Sequence, residues 1–235
     1  MVIKNTGYSD TQDSLERHDS ILHNQQLWDN RYQKEGYIWG DESSICARTI
    51  AERLQGTGKK VIDLGCGYGR DVIYLAKKGF QVIGVDLSEI GINTAKEWAK
   101  KECPDAKFCL RKDVNFNDYK EYFDAVISNR VMHLLIRPEE RMEYLNEICH
   151  ILKKGGLLSL TARSINDPTR PKSHVNLDEP AQVRPGHWVK FFTHDEFYEC
   201  FKSHFEIKSI DEIEERESDN PDKPTSVLHI IAEKL

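Results

Sequence analysis

No apolar run in these 235 residues approaches the roughly 20 that a membrane span requires. The opening residues, Met1-Val2-Ile3-Lys4-Asn5, lack the apolar core of a secretory signal. The six cysteines never fall as C-x-x-C, which fits reduced thiols in a cytoplasmic protein better than a disulfide framework. An excess of positive charge is also missing. Acidic residues number 39 and basic residues 33, a formal charge of −6, so the chain on average repels a phosphate backbone. There is no internal repeat and no low-complexity block. What remains is a globular chain, 39% hydrophobic and 31% charged, of a length suited to one α/β domain.

The chain then shows a rhythm. A polar, helical stretch runs to about residue 35. A helix over 45–54 precedes a short apolar strand, Lys60-Val61-Ile62-Asp63-Leu64. Strands follow at 81–86, near 106–110, at 123–128 and at 157–161, with helices over 70–78, after Ser88 and from Pro138. Ser88 caps one helix, Pro138 opens another with Met142, Leu145, Ile148 and Leu152 as its buried stripe, and Lys153-Lys154-Gly155-Gly156 closes it. Such alternation implies βαβ units, a Rossmann-like, doubly wound and mostly parallel sheet of seven strands. The rhythm lapses at 163–190 and resumes with the capping box Thr193-x-x-Glu196. Two strands close the chain, over 205–213 and 226–232, and form an antiparallel C-terminal edge.

The densest signal is Asp63-Leu64-Gly65-Cys66-Gly67-Tyr68-Gly69-Arg70, where the first core strand turns into its helix. Ligands bind at the carboxyl ends of strands in open α/β sheets, and glycines let the backbone approach them. Asp86 ends the next strand, 21 residues beyond Gly65, where a carboxylate can accept both hydroxyls of a ribose. A dinucleotide fingerprint, G-x-G-x-x-G, would need glycine at position 70, and that position is Arg. This speaks against a nicotinamide-dependent oxidoreductase.

These residues resemble the first motif of the class I S-adenosylmethionine-dependent methyltransferases. Val85-Asp86-Leu87-Ser88 resembles the second motif, Lys112-Asp113-Val114 the third, and Asp124-Ala125-Val126-Ile127-Ser128-Asn129 the fourth. Trp28-Asp29-Asn30-Arg31-Tyr32 and Tyr37-Ile38-Trp39-Gly40 are similar to the entry segment of the small-molecule branch, the tellurite-resistance and thiopurine enzymes. The resemblance implies S-adenosyl-L-methionine as cofactor. It implies a cofactor site of Trp28, Tyr32, Trp39, Asp63, Gly65, Cys66, Gly67, Gly69, Asp86, Leu87, Asp113, Val114 and Asn129. It also implies residues 1–40 as a helical cap over that site and 41–235 as the methyltransferase domain, with 163–190 an irregular substrate-side insertion.

The acceptor is less legible. Methyl transfer from a sulfonium is an in-line displacement that needs alignment and exclusion of water more than a dedicated base. His133, past the fourth strand, and Arg163, past the fifth, are the catalytic candidates, as a base and as an anchor for an acidic acceptor. A packing histidine and a plain ion pair are the competing readings. Segment 163–190 carries five basic and three acidic residues, opposite in balance to the whole chain, and with His174, His187 and Trp188 it suits a lid over an anionic or soft acceptor. The expected partner is therefore a small molecule, with no nucleic acid, membrane or metal, in a monomer or homodimer. A partner subunit that binds the cofactor without turnover is the alternative.

Overall fold

The computed structural model describes residues 9–54, 57–103, 105–217 and 220–235. Short apolar runs make the central strands: β1 (Lys60–Leu64), β2 (Gln81–Asp86), β3 (Lys107–Leu110) and β4 (Phe123–Ser128). They are joined in parallel through helices α3 (Arg70–Lys77) and α4 (Glu89–Glu102) and a pair of 3-10 turns. Helix α5 (Pro138–Ile151) leads into β5 (Leu152–Arg163), and α6 (His194–Phe201) into β8 (Phe205–Glu217) and β9 (Asn220–Lys234). The strand order is β3-β2-β1-β4-β5-β9-β8. Strand β9 pairs antiparallel with both β5 and β8. Strand order reverses between β1 and β4, which opens a crevice at their carboxyl ends.

Each face of the sheet carries its own core. Helices α5 and α6 bury Leu145, Ile148, Phe197 and Phe201 against Ile62, Val126 and Leu158. On the other face α2 (Ile45–Arg53), α3 and α4 bury Ile50, Val72, Leu75 and Ile92 against Val61 and Phe108. Truncating any one of these large side chains to Ala costs about 2–5 kcal/mol, because the cavity adds to the lost transfer energy. Caps fall at the expected hydroxyls: Ser88 accepts from Gly91 N and Thr193 from Glu196 N.

Three local expectations change. Met142 is exposed, and Arg141 takes its place in the buried stripe, its guanidinium donating to the carbonyls of Leu135 and Ile136. Lys153 to Gly156 form no separate turn; they belong to β5 and absorb a register shift against β4 between Phe123 and Ala125. Residues 163–190 contain a two-stranded ribbon, β6 (Ala181–Arg184) and β7 (His187–Val189), turned at Gly186. The N-terminal helix, α1 (Ser9–Glu35), lies against α4.

Candidate active site

A cavity of about 780 Å³ opens over the carboxyl ends of β1, β2 and β4. That size accommodates a drug-sized ligand. Of the cofactor residues expected from sequence, Trp28, Tyr32, Trp39, Asp63, Gly65, Cys66, Gly67, Asp86, Leu87 and Asn129 line it. Gly69, Asp113 and Val114 do not.

Gly69 has a structural reason to be glycine. It caps α3 at φ 87°, and a Cβ there would meet the Phe108 ring at 2.7 Å and Ala95 at 2.8 Å. Gly67 sits at φ 54° under the Tyr32 hydroxyl, which occupies the space a Cβ would need. Asp113 is exposed in a 3-10 turn, and the neighbouring Leu110, Arg111 and Lys112 line the cavity instead. Val114 packs against the core.

The two acids of the floor differ in what they lack. Asp86 accepts from Gly67 N at 2.7 Å and from Ser88 N at 2.8 Å, tying the glycine loop to the start of α4. Burial raises its pKa while these donors pull the other way. Asp63 is 1% exposed and its Oδ1 meets no hydrogen-bond partner among the described residues. Burial, then the charges of Asp71 and Asp86, push that carboxyl well above the usual range. Asp71 is fully engaged, accepting from Ser44 N and Ser44 Oγ at 2.6 Å each.

The roof comes from residues 28–40. Tyr68 Oη donates to Gly40 O at 2.7 Å and accepts from Trp39 N at 3.0 Å, and burial pushes its phenol up to about 12. Arg70 donates to the carbonyls of Trp39 and Glu42. Trp28, Tyr32, Trp39 and Tyr68 form a connected ring cluster, with centroids 5.8 Å apart for Trp28–Tyr32 and Trp28–Trp39 and 5.9 Å for Tyr32–Tyr68. Asp29, a residue whose role sequence reasoning missed, accepts from Ser88 Oγ at 2.5 Å and Ile90 N at 3.0 Å, and so pins α1 to the N-terminus of α4.

Neither catalytic candidate lines this cavity. His133 is 3% and Arg163 5% exposed, buried near each other beside the cavity wall formed by Asn129, Arg130, Val131 and Leu134. Arg163 pairs with Asp167 at 3.0 Å and donates to Thr169 Oγ1. Burial drives the His133 imidazole well below its ordinary pKa, and the cations Arg163 and Arg130 add to that.

The donor set fits S-adenosylmethionine: a carboxylate at Asp86 for a diol, an orphaned buried carboxylate oxygen at Asp63 for an ammonium, and aromatic faces for a sulfonium. Comparison with known proteins agrees. A model of the methyltransferase domain matches residues 61–156. An uncharacterized methyltransferase of Schizosaccharomyces pombe is 32% identical over 112 residues, covering 48% of this chain and 77% of that protein. The chain spans 65% of another from the same yeast and under half the length of three bacterial relatives. Among solved structures, the 1,6-didemethyltoxoflavin-N1-methyltransferase of Burkholderia thailandensis superposes with a TM-score of 0.69 at 20% identity, covering 93% of this chain and 89% of that one. TehB of Haemophilus influenzae gives 0.62 at 19%, covering 88% of this chain and 67% of that one. Fold, glycine loop, acid pair and relatives converge: the chain belongs to the class I S-adenosylmethionine-dependent methyltransferases.

Proposed function

We propose that this methyltransferase acts on a small-molecule acceptor. The observation that carries this reading is the roof. The chain's own residues 28–40 are fastened over part of the cofactor cavity by Tyr68, Arg70 and Asp29, which narrows the approach to it and favours a small acceptor over a polymer. The toxoflavin-precursor methyltransferase, whose structure holds its small substrate and S-adenosylhomocysteine, supports the same reading by its similar fold.

When bound, S-adenosylmethionine supplies a methyl group already activated on a sulfonium. The residues here bind, orient and exclude water. Asp86 takes the ribose diol, Asp63 takes the ammonium, and Trp28, Tyr32 and Trp39 face the cation and keep solvent from it. Residues 1–40, of which 1–8 lie outside the described residues, serve as the cap of the domain formed by 41–235, with 163–190 on the acceptor side. His133 and Arg163 act on the acceptor, not on the cofactor. Tritiated methyl groups offered to a whole-cell extract are expected to appear in the dialysable fraction. Label confined to protein or nucleic acid would overturn the small-molecule reading and leave the cofactor assignment standing.

A further inference from the structure

Three residues far apart in sequence meet beside the cavity. His133 follows β4, Arg163 ends β5, and His187 opens β7. The segment after His187 runs along both of the others: Lys190 N donates to His133 O at 2.8 Å and Phe192 N to Arg163 O at 2.9 Å. The two imidazoles are 3% and 4% exposed. Among the described residues, His133 Nδ1 and both ring nitrogens of His187 meet no hydrogen-bond partner. Buried polar atoms of this kind are costly to a fold unless a ligand or solvent satisfies them.

Among the described residues, the charges that face the rings are positive. His133 faces Arg163 and Arg130, and His187 faces Arg163, Arg31 and Arg184. The acids nearby are engaged by guanidinium groups: Asp167 with Arg163, Glu35 with Arg31, Glu215 with Arg130. A metal cation would be repelled here, and an anion would be drawn in. Trp28, which lines the cofactor cavity, stands edge-on to His187 with centroids 5.7 Å apart, so the cluster adjoins the chamber. The β6–β7 ribbon that carries His187 is tied to α1 by the exposed hydrogen bond from His23 Nε2 to Gly186 O at 2.8 Å, a contact that can part for entry.

We propose that His133, Arg163 and His187 seat an anionic group of the methyl acceptor, a carboxylate or an oxyanion; this rests on the small-molecule reading above. The orphaned imidazole N–H groups supply the donors, the Arg163 guanidinium, held by Asp167 and Thr169, adds positive charge beside them, and an anion in the seat draws a proton from solvent onto the imidazoles.

The test uses the full chain with labelled histidine nitrogens, saturated with S-adenosylhomocysteine. Benzoate and tellurite are the anionic probes and benzamide is the neutral control. At least one anion is expected to shift the His133 and His187 nitrogen resonances and raise their titration midpoints, while benzamide does neither. His187→Gln should weaken that anion about tenfold or more, the loss of one charge-assisted hydrogen bond, and leave S-adenosylhomocysteine affinity within about twofold. If both anions leave the two imidazoles unmoved while S-adenosylhomocysteine still binds, the seat is overturned alone. If S-adenosylhomocysteine itself fails to bind, the methyltransferase reading falls and the acceptor seat falls with it.

Discussion

At the floor of the cavity, Asp63 and Asp86 divide the polar work by what the backbone offers each. Asp86 is held by two amide donors and keeps its remaining lone pairs for a ligand, whereas Asp63 Oδ1 has no donor among the described residues. Three histidines, His133, His187 and His229, are among the fold's other buried titratable groups, and His229 is the cleanest to test. It lies 3% exposed in β9, bonded to Ser159 Oγ at 2.8 Å, and burial pushes its imidazole down to about 4 from 6.5. The folded state therefore binds fewer protons than the unfolded one between these values. Its contribution to stability is complete above pH 6.5 and is lost as pH falls toward 4. Urea unfolding of His229→Gln over that window should show a pH slope shallower than the parent by about 1.4 kcal/mol per unit. Identical slopes would contradict the assigned shift. Much of this residue-scale detail was legible: Asp63, Gly65, Gly67 and Asp86 announce themselves by spacing. Asp113 did not follow its motif, because a 3-10 turn carries it to the surface while Leu110 to Lys112 face the chamber.

Among the elements, α1 is the one that covers part of the crevice, with Trp28 and Tyr32 in its lining. Its Asp29 cap on α4 and its Trp28 and Tyr32 rings act together with Trp39, which Tyr68 and Arg70 hold in place. Removing residues 1–40 should leave a sheet domain with native far-ultraviolet circular dichroism, a lowered melting temperature from the lost cap, and no measurable affinity for S-adenosylhomocysteine. A truncated chain that binds as tightly as the whole would contradict the role given to the roof. The central strands were readable because turn residues punctuate short apolar runs on both sides, and β1, β2 and β4 begin and end where those runs do. The β6–β7 ribbon was not readable. Its strands are four and three residues long, of mixed polarity, and it is placed by contacts with α1 and with His133 that lie far off in sequence. Arg141 at a core position misled the helical pattern in the same way, since its burial depends on carbonyls one turn before α5.

For the molecule as a whole, the order β3-β2-β1-β4-β5-β9-β8 places a switch point between β1 and β4, and the long β8–β9 hairpin closes the far side of the sheet. Among the described residues no helix is long and apolar enough to cross a membrane. The same architecture brings the glycine loop, the acid of β2 and the aromatic roof to one cavity, and sets the buried His133, Arg163 and His187 beside it. The measurement that bears most directly on this account is the thermal shift of the full chain with S-adenosylhomocysteine and with NAD, repeated on Asp86→Ala. A ligand that binds only the folded state raises the melting temperature, and a hundredfold excess over its dissociation constant stabilises by about 2.7 kcal/mol. S-adenosylhomocysteine should raise the melting temperature of the parent by the corresponding several degrees, NAD should leave it unchanged, and Asp86→Ala should lose most of the shift. A shift from NAD, or a full shift from S-adenosylhomocysteine in Asp86→Ala, would contradict the cofactor site described here.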